Sequence, residues 1–262
     1  MANPAFRNEA FQDRTAAQPT VSVAELEAQY QAPSALRESD DPMTVQDTIV
    51  KSVGAFGVLL IGAAIGWFLA PMPMVALGAA AVGFVLGLVN CFKRVPSPAL
   101  ILLYAAAEGV FLGAISAWLE AAYQGIVTQA VVGTLIVVGV TLALFASGRV
   151  RASARATKVF LIAMIGYGLF SVLNLILMLT GAVDDPWGLR GATLWGIPIG
   201  LGLGVLAVLL CAYSLVLDFD FIQRGVKNGA PRIYGWSGAF GIMVTVVWLY
   251  TEILRILALL RR

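Results

Sequence analysis

From Ile49 onward the chain alternates long apolar runs with short polar breaks. The runs are Ile49–Ala70, Met72–Phe92, Ala99–Leu119, Ile126–Ala146, Val159–Thr180, Leu194–Leu217 and Trp236–Leu260. Each is long enough for a crossing, since about 20 apolar residues rising about 1.5 Å apiece span a hydrocarbon core of about 30 Å. Backbone N–H and C=O groups in lipid must find partners within the protein, which makes each run a helix. The pattern therefore predicts an all-α membrane protein, a seven-transmembrane-helix bundle. Pro71 and Pro73 set a very tight turn between the first two spans, because proline ends helices and restricts the residue before it. The last run carries Glu252 and Arg255 and can be read as a full crossing or as a re-entrant segment; a full crossing is the expectation.

Small residues recur at helix-packing spacing: Gly62 and Gly66, Gly83 and Gly87, Gly109 and Gly113, then Gly196, Gly200 and Gly204. Such pairs let helices approach backbone to backbone. Pro198 is expected to kink the sixth span near its outer end.

Composition separates the segment 1–48 from the rest. It holds three Arg and eight acids, a net charge of −5, whereas 49–262 holds fourteen basic and seven acidic residues, a net +7. An acidic segment poor in apolar residues cannot bury enough surface to fold, so 1–48 reads as a disordered arm, with Ala24–Leu36 a candidate surface helix. The arm lacks the basic start and apolar stretch of a cleavable signal peptide. Over the whole chain 60% of residues are hydrophobic and 12% charged, against about 25% charged in soluble domains.

The connections carry their basic residues on alternate sides. Lys93 and Arg94, then Arg149, Arg151, Arg155 and Lys158, then Arg224, Lys227 and Arg232 occupy the even-to-odd loops, and Arg190 stands alone in the others. By the positive-inside rule the amino terminus is cytoplasmic. Arg261 and Arg262 disagree, since seven crossings put them outside.

The chain has no histidine and two cysteines, Cys91 and Cys211. Triads that need imidazole, His-ligated zinc and His-ligated haem are excluded. All four lysines flank spans or lie in loops, so no Schiff-base site is placed, and no Gly-x-Gly-Asp pattern suggests an intramembrane aspartyl protease. The chain reads as neither an enzyme nor a nucleic-acid binder, and no cofactor is implied. What remains is a small set of membrane acids. Glu108 lies near the middle of an uncharged run, where a carboxylate costs about 2.5–3.5 kcal/mol on insertion scales and normally faces a bundle interior. Asp218 and Asp220 end the sixth run; two residues apart on a helix, they point about 200° from each other, one to the bundle and the other to the cytoplasm. Thr245, Trp248, Leu249 and Glu252 fall on one stripe of the last segment, with Arg255 one turn beyond. Glu252 and Arg255 either neutralise each other as an i,i+3 pair or place Glu252 in a central cavity with Arg255 tuning its ionisation.

Several of these residues carry a family resemblance. Tyr213–Ile222 (YSLVLDFDFI), a short basic loop, Gly238–Gly241 (GAFG) and Trp248–Leu257 (WLYTEILRIL) resemble the end of the Bax-inhibitor family, the transmembrane BAX inhibitor motif proteins. The likeness extends to Ala107–Ser116 (AEGVFLGAIS) and covers roughly residues 50–260. It implies a seven-helix bundle with the C-terminal helix at the centre, wrapped by the other six. It also implies, as for bacterial relatives, a pH-sensitive calcium leak channel in the bacterial cell membrane, gated by an aspartate pair between the sixth and seventh helices. Asp218 matches the first member of that pair. The second falls near Thr245, so the chain departs from the pattern there, and Glu252 is the nearest substitute acid.

Two functions follow. In the first, calcium ions and protons are the partners. Glu108, Asp218 and Glu252, helped by Asn174 and Thr245, supply a weak oxygen-ligand site of the kind Ca²⁺ prefers. In the second, the protein is a membrane interaction protein that modulates stress or cell-death pathways without conducting ions.

Overall fold

The computed structural model describes residues 41–194 and 196–262. Among the described residues, seven helices are long and apolar enough to cross a membrane: α1 (Val45–Phe68), α2 (Pro73–Phe92), α3 (Pro98–Ala122), α4 (Ile126–Ala146), α5 (Ala154–Leu179), α6 (Ile199–Lys227) and α7 (Gly235–Leu260). The seven-helix bundle predicted from the apolar runs is the observed fold. The surface helix considered for Ala24–Leu36 lies outside the described residues.

Local chemistry sets the helix starts. Thr44 accepts the Asp47 N–H at 3.1 Å to cap α1, and Ser153 accepts the Ala156 N–H at 3.3 Å to cap α5. Proline opens α2 and α3, where its missing N–H would have lacked a partner anyway. Gly125, at φ 78°, turns the chain into α4. The Glu120 carboxylate then accepts the Gly125 and Val127 N–H groups at 2.6 and 3.0 Å, an anion at a helix N-terminus.

Three predicted details change. Helix α1 begins at Val45, four residues earlier than the apolar run, because Thr44 and Asp47 cap it through polar residues. Pro198 does not kink α6: it is the residue before the helix and belongs to a two-stranded ribbon, β1 (Thr193–Leu194) paired with β2 (Ile197–Pro198). Gly196, at φ 81°, makes the turn of that ribbon, so only Gly200 and Gly204 of the proposed glycine series lie on the helix. Helix α6 also continues past Leu217, where the apolar run stops, to Lys227.

The remaining glycine pairs do bring helices together. A Cβ at Gly62 would come within 2.6 Å of the Ala106 carbonyl oxygen, and one at Gly113 would overlap the Ala63 carbonyl. These positions let α1 and α3 pack backbone to backbone. Gly200 and Gly204 receive Leu259 and Ile256 of α7.

Helix α7 meets five of the other helices. Ser116 of α3 bonds Tyr250 at 2.7 Å, Thr245 bonds Asp218 of α6 at 2.7 Å, and Glu252 bonds Tyr167 of α5. Leu254 and Ala258 pack with Ile126 and Ala130 of α4, while Gly238 lies against Thr48 of α1. Helix α7 is unbroken from Gly235 to Leu260. At the α-helical rise this is a length of about 39 Å. That suffices for a full crossing, and a re-entrant path would need a break. The ends agree. Arg261 bonds Gln124 and Gln129 in the α3–α4 region, and Arg262 bonds Asp185 in the α5–α6 loop. At the opposite end Met43 N–H donates to Ala230 and Arg232 N–H to Asp41. The amino-terminal end of α1 thus shares its side with the basic α6–α7 loop, and the carboxyl terminus lies on the other.

Candidate functional site: buried carboxylates of the bundle

Asp218 is not a solvated residue at a span end. Helix α6 continues beyond it to Lys227. The extension adds about 13 Å along the axis. The Asp218 side chain is enclosed, with the residue 3% exposed. Its Oδ2 accepts the Thr245 hydroxyl at 2.7 Å, and Thr245 lies 3.3 Å from the Ser214 hydroxyl one turn back on α6. Leu215, Leu217, Met243 and Leu249, all buried, occupy the same two helices. An acid and two hydroxyls are therefore enclosed in an apolar contact between α6 and α7. Asp220 turns away, as the offset between the two acids requires, and pairs with Arg224 four residues on, half-buried at the bundle edge.

Glu252 is also buried, at 2% exposed. It sits two turns from Thr245 on the same stripe, about 10 Å along the axis. Its Oε1 accepts from the Tyr167 hydroxyl, from Arg255 Nη1 at 2.5 Å and from Trp248 Nε1 at 3.3 Å. The i,i+3 ion pair read from the sequence forms, and it is embedded in a larger network. Arg190 from the α5–α6 loop donates from Nη2 to Tyr167 at 3.0 Å and to Ser171 at 2.8 Å. Neither Arg190 nor Tyr167 has a place in the site read from the sequence. The available signals were that Arg190 is the only basic residue of its set of loops and that Tyr167 interrupts an aliphatic run.

Glu108 occupies a third place. Its carboxylate faces Gly83 of α2, where a Cβ would lie 3.1 Å from Oε1, and it pairs with Tyr104 one turn back on α3. Tyr104 in turn packs edge-on to Phe240 of α7, ring centroids 5.2 Å apart.

The weak calcium site expected from Glu108, Asp218 and Glu252 together is not assembled. Among the described residues no group of three or more Cys, Asp and Glu is placed to hold a metal ion. The reason is geometric: the three acids stand on three helices, each turned to its own partners. Asn174 does not contribute either. Its Oδ1 accepts the Leu189 N–H at 2.6 Å, and its Nδ2 lies 3.5 Å from the Trp187 carbonyl, so it ties α5 to the α5–α6 loop. Cys91 and Cys211 are free thiols on separate helices.

Seven apolar helices around buried carboxylates define an integral, multi-pass membrane protein. The family model described as Bax inhibitor 1 like matches residues 3–262. The chain belongs to the Bax inhibitor family, and the match takes in most of the amino-terminal segment as well as the bundle. Among curated proteins, none matches the chain.

Replacing the Glu108 carboxyl group with little change of shape tests the third acid. Glu108→Gln is expected to keep the fold, by circular dichroism and gel filtration in detergent, and, if the protein conducts ions, to change their flux in liposomes. A wild-type flux profile would make Glu108 a packing residue between α2 and α3.

Proposed function

We propose that this protein is a pH-sensitive calcium leak channel or transporter, with Asp218 as the titrating group of its gate. The observation that carries the reading is the burial of the Asp218 carboxylate in the α6–α7 contact, held by Thr245 at 2.7 Å. Its protonated and ionised forms differ by a full charge in a medium that screens charge poorly. Proton exchange at Asp218 therefore changes how α6 and α7 fit. Intramembrane acids of this kind mark ion and proton pathways, and carboxylate oxygen is a ligand Ca²⁺ accepts. With the three acids apart and Glu252 engaged by Arg255, the ion passes Asp218 and Glu108 as separate stations, without a single chelating cage.

Reconstitution in liposomes, with Ca²⁺ flux followed against pH, tests this directly. The protein alone should pass Ca²⁺, and the rate should depend on pH. Absence of flux at every pH would overturn the reading and leave an interaction protein that does not conduct.

We also take the amino terminus to be cytoplasmic in a bacterial cell membrane, supported by nine basic residues in one set of connections against Arg190 in the other. In a Cys91→Ala, Cys211→Ala background of whole cells, Asp184→Cys should react with an impermeant thiol reagent and Arg149→Cys should not. The reverse labelling would invert the topology.

A further inference from the structure

Around the Tyr167 hydroxyl the charges do not balance. Arg190 donates to it at 3.0 Å and Arg255 at 3.4 Å, so two guanidiniums meet at one oxygen. Glu252 accepts from the Tyr167 hydroxyl and from Arg255, and the charged groups acting on Tyr167 are Glu252, Arg255 and Arg190. Their sum is one net positive charge. Helix α6 brings the buried Cys211 thiol toward Glu252, a neutral group. Asp185 of the outer loop is committed elsewhere: it accepts the Trp187 N–H at 2.7 Å and Arg262 Nη1 at 2.6 Å, and these partners hold it below the usual carboxylate range.

Arg190 is 8% exposed, and its Nε is buried without a hydrogen-bond partner. The rings of Tyr167 and Phe170 lie 5.3 and 5.8 Å from its guanidinium carbon. They favour a cation there but supply no counter-charge. Arg255 forms its hydrogen bonds through Nη1, and its side chain is 25% exposed, so the Nε and Nη2 edge remains for another acceptor. Burying a charge without a partner is strongly unfavourable. A partly open guanidinium edge beside a buried one provides several donors to an incoming acceptor.

We propose that Arg190 and Arg255 form a binding site for a small monovalent anion in the outer half of the bundle, chloride being the simplest occupant. One negative charge neutralises the surplus, whereas a divalent anion would reverse it. Weakly hydrated guanidinium favours a weakly hydrated partner. The site lies apart from Asp218 and is read by binding, so its failure and that of the calcium-leak reading are separable.

The test uses the full-length protein in phosphatidylcholine nanodiscs, with ³⁵Cl NMR line broadening as the readout. Wild type should broaden the line saturably. Arg190→Gln should weaken chloride binding about tenfold or more, the effect of one lost charge-assisted hydrogen bond. Glu252→Gln removes the competing negative charge and should tighten it. Repeating the titration with phosphatidylglycerol in the nanodisc separates the two sources of monovalent anion: competition there would assign the site to a lipid phosphodiester, and its absence to the free ion. No saturable broadening from folded wild type would overturn the proposal. So would Glu252→Gln weakening chloride as much as Arg190→Gln does, because that is the behaviour of a purely structural network.

Discussion

If the protein is the leak channel proposed above, Asp218→Asn reconstituted in liposomes is expected to lose the pH dependence of Ca²⁺ leak assigned to the α6–α7 contact. Thr245→Asp is expected to make the pH dependence steeper than in wild type. Asparagine has nearly the shape of aspartate, and its amide oxygen can still accept the Thr245 hydroxyl, which donates at 2.7 Å in the native contact. The substitution therefore removes the titrating group while leaving the packing in place, and stability should change by no more than about 1 kcal/mol. Thr245→Asp acts in the opposite sense. Two carboxylates in one enclosed site cannot both ionise easily, so they take up protons as a coupled pair. A hydroxyl has no charge to couple, and the native Asp218–Thr245 pair lacks this repulsion. Ser214, 3.3 Å from Thr245, stays as a further hydrogen-bonding group in both variants. Flux measured from pH 5 to pH 9 should give a flat profile for Asp218→Asn, an intermediate one for wild type and a steep one for Thr245→Asp. Three superimposable profiles would place the gate elsewhere in the bundle.

The spans were legible because lipid imposes one requirement on every crossing segment, an unbroken apolar run, and that requirement is local. Ile126–Ala146 is the same in sequence and structure. The reading failed at α6 for the complementary reason. An apolar run ends where lipid contact ends, but the helix continues through Asp220, Gln223 and Arg224 to Lys227. That extension is why Asp218 is enclosed where the sequence suggested a span end. Pro198 and Gly196 were misplaced inside the span because the strand pair and its turn include Leu194 and Ile197 and lead into Ile199, apolar residues that continue the run.

The candidate site was legible only within single helices. The stripe Thr245, Leu249, Glu252 and the offset of Asp218 from Asp220 follow from helical periodicity, and the structure shows the expected faces. The partner of Asp218 came from the family pattern. The contacts of Arg190 with Tyr167 and of Asn174 with Leu189 join a helix to a loop 15 to 23 residues away. Nothing in a pattern of apolar positions specifies which side chain a loop returns to. The same limit explains the calcium site that did not assemble: three acids suited to one ion by chemistry stand on three helices whose rotations only the packing determines.

That packing gives the largest expected effect on stability. Gly113→Ala and Gly66→Ala should each disrupt the α1–α3 pair, although each adds a single methyl group. At Gly113 the new carbon would overlap the Ala63 carbonyl, and at Gly66 it would overlap that of Val110. The obstacle in both places is backbone, which cannot rotate aside as a side chain can, so the helices must separate. Overpacking of this kind costs typically about 1–3 kcal/mol or more, and in lipid no hydrophobic gain compensates, because close packing is itself what holds the helices together. Gly57 in α1 and Gly139 in α4 provide the contrast, since an added Cβ at either meets nothing within 4 Å. Gly57→Ala and Gly139→Ala should be neutral or stabilising by up to about 1 kcal/mol, the helix propensity that alanine adds over glycine. Thermal denaturation of the four variants in one detergent, followed by loss of the monodisperse gel-filtration peak, measures the difference. Gly113→Ala and Gly66→Ala should lose that peak at temperatures several degrees below wild type, while the two control variants retain it. If all four behaved alike, the close α1–α3 approach would not be what holds those helices together.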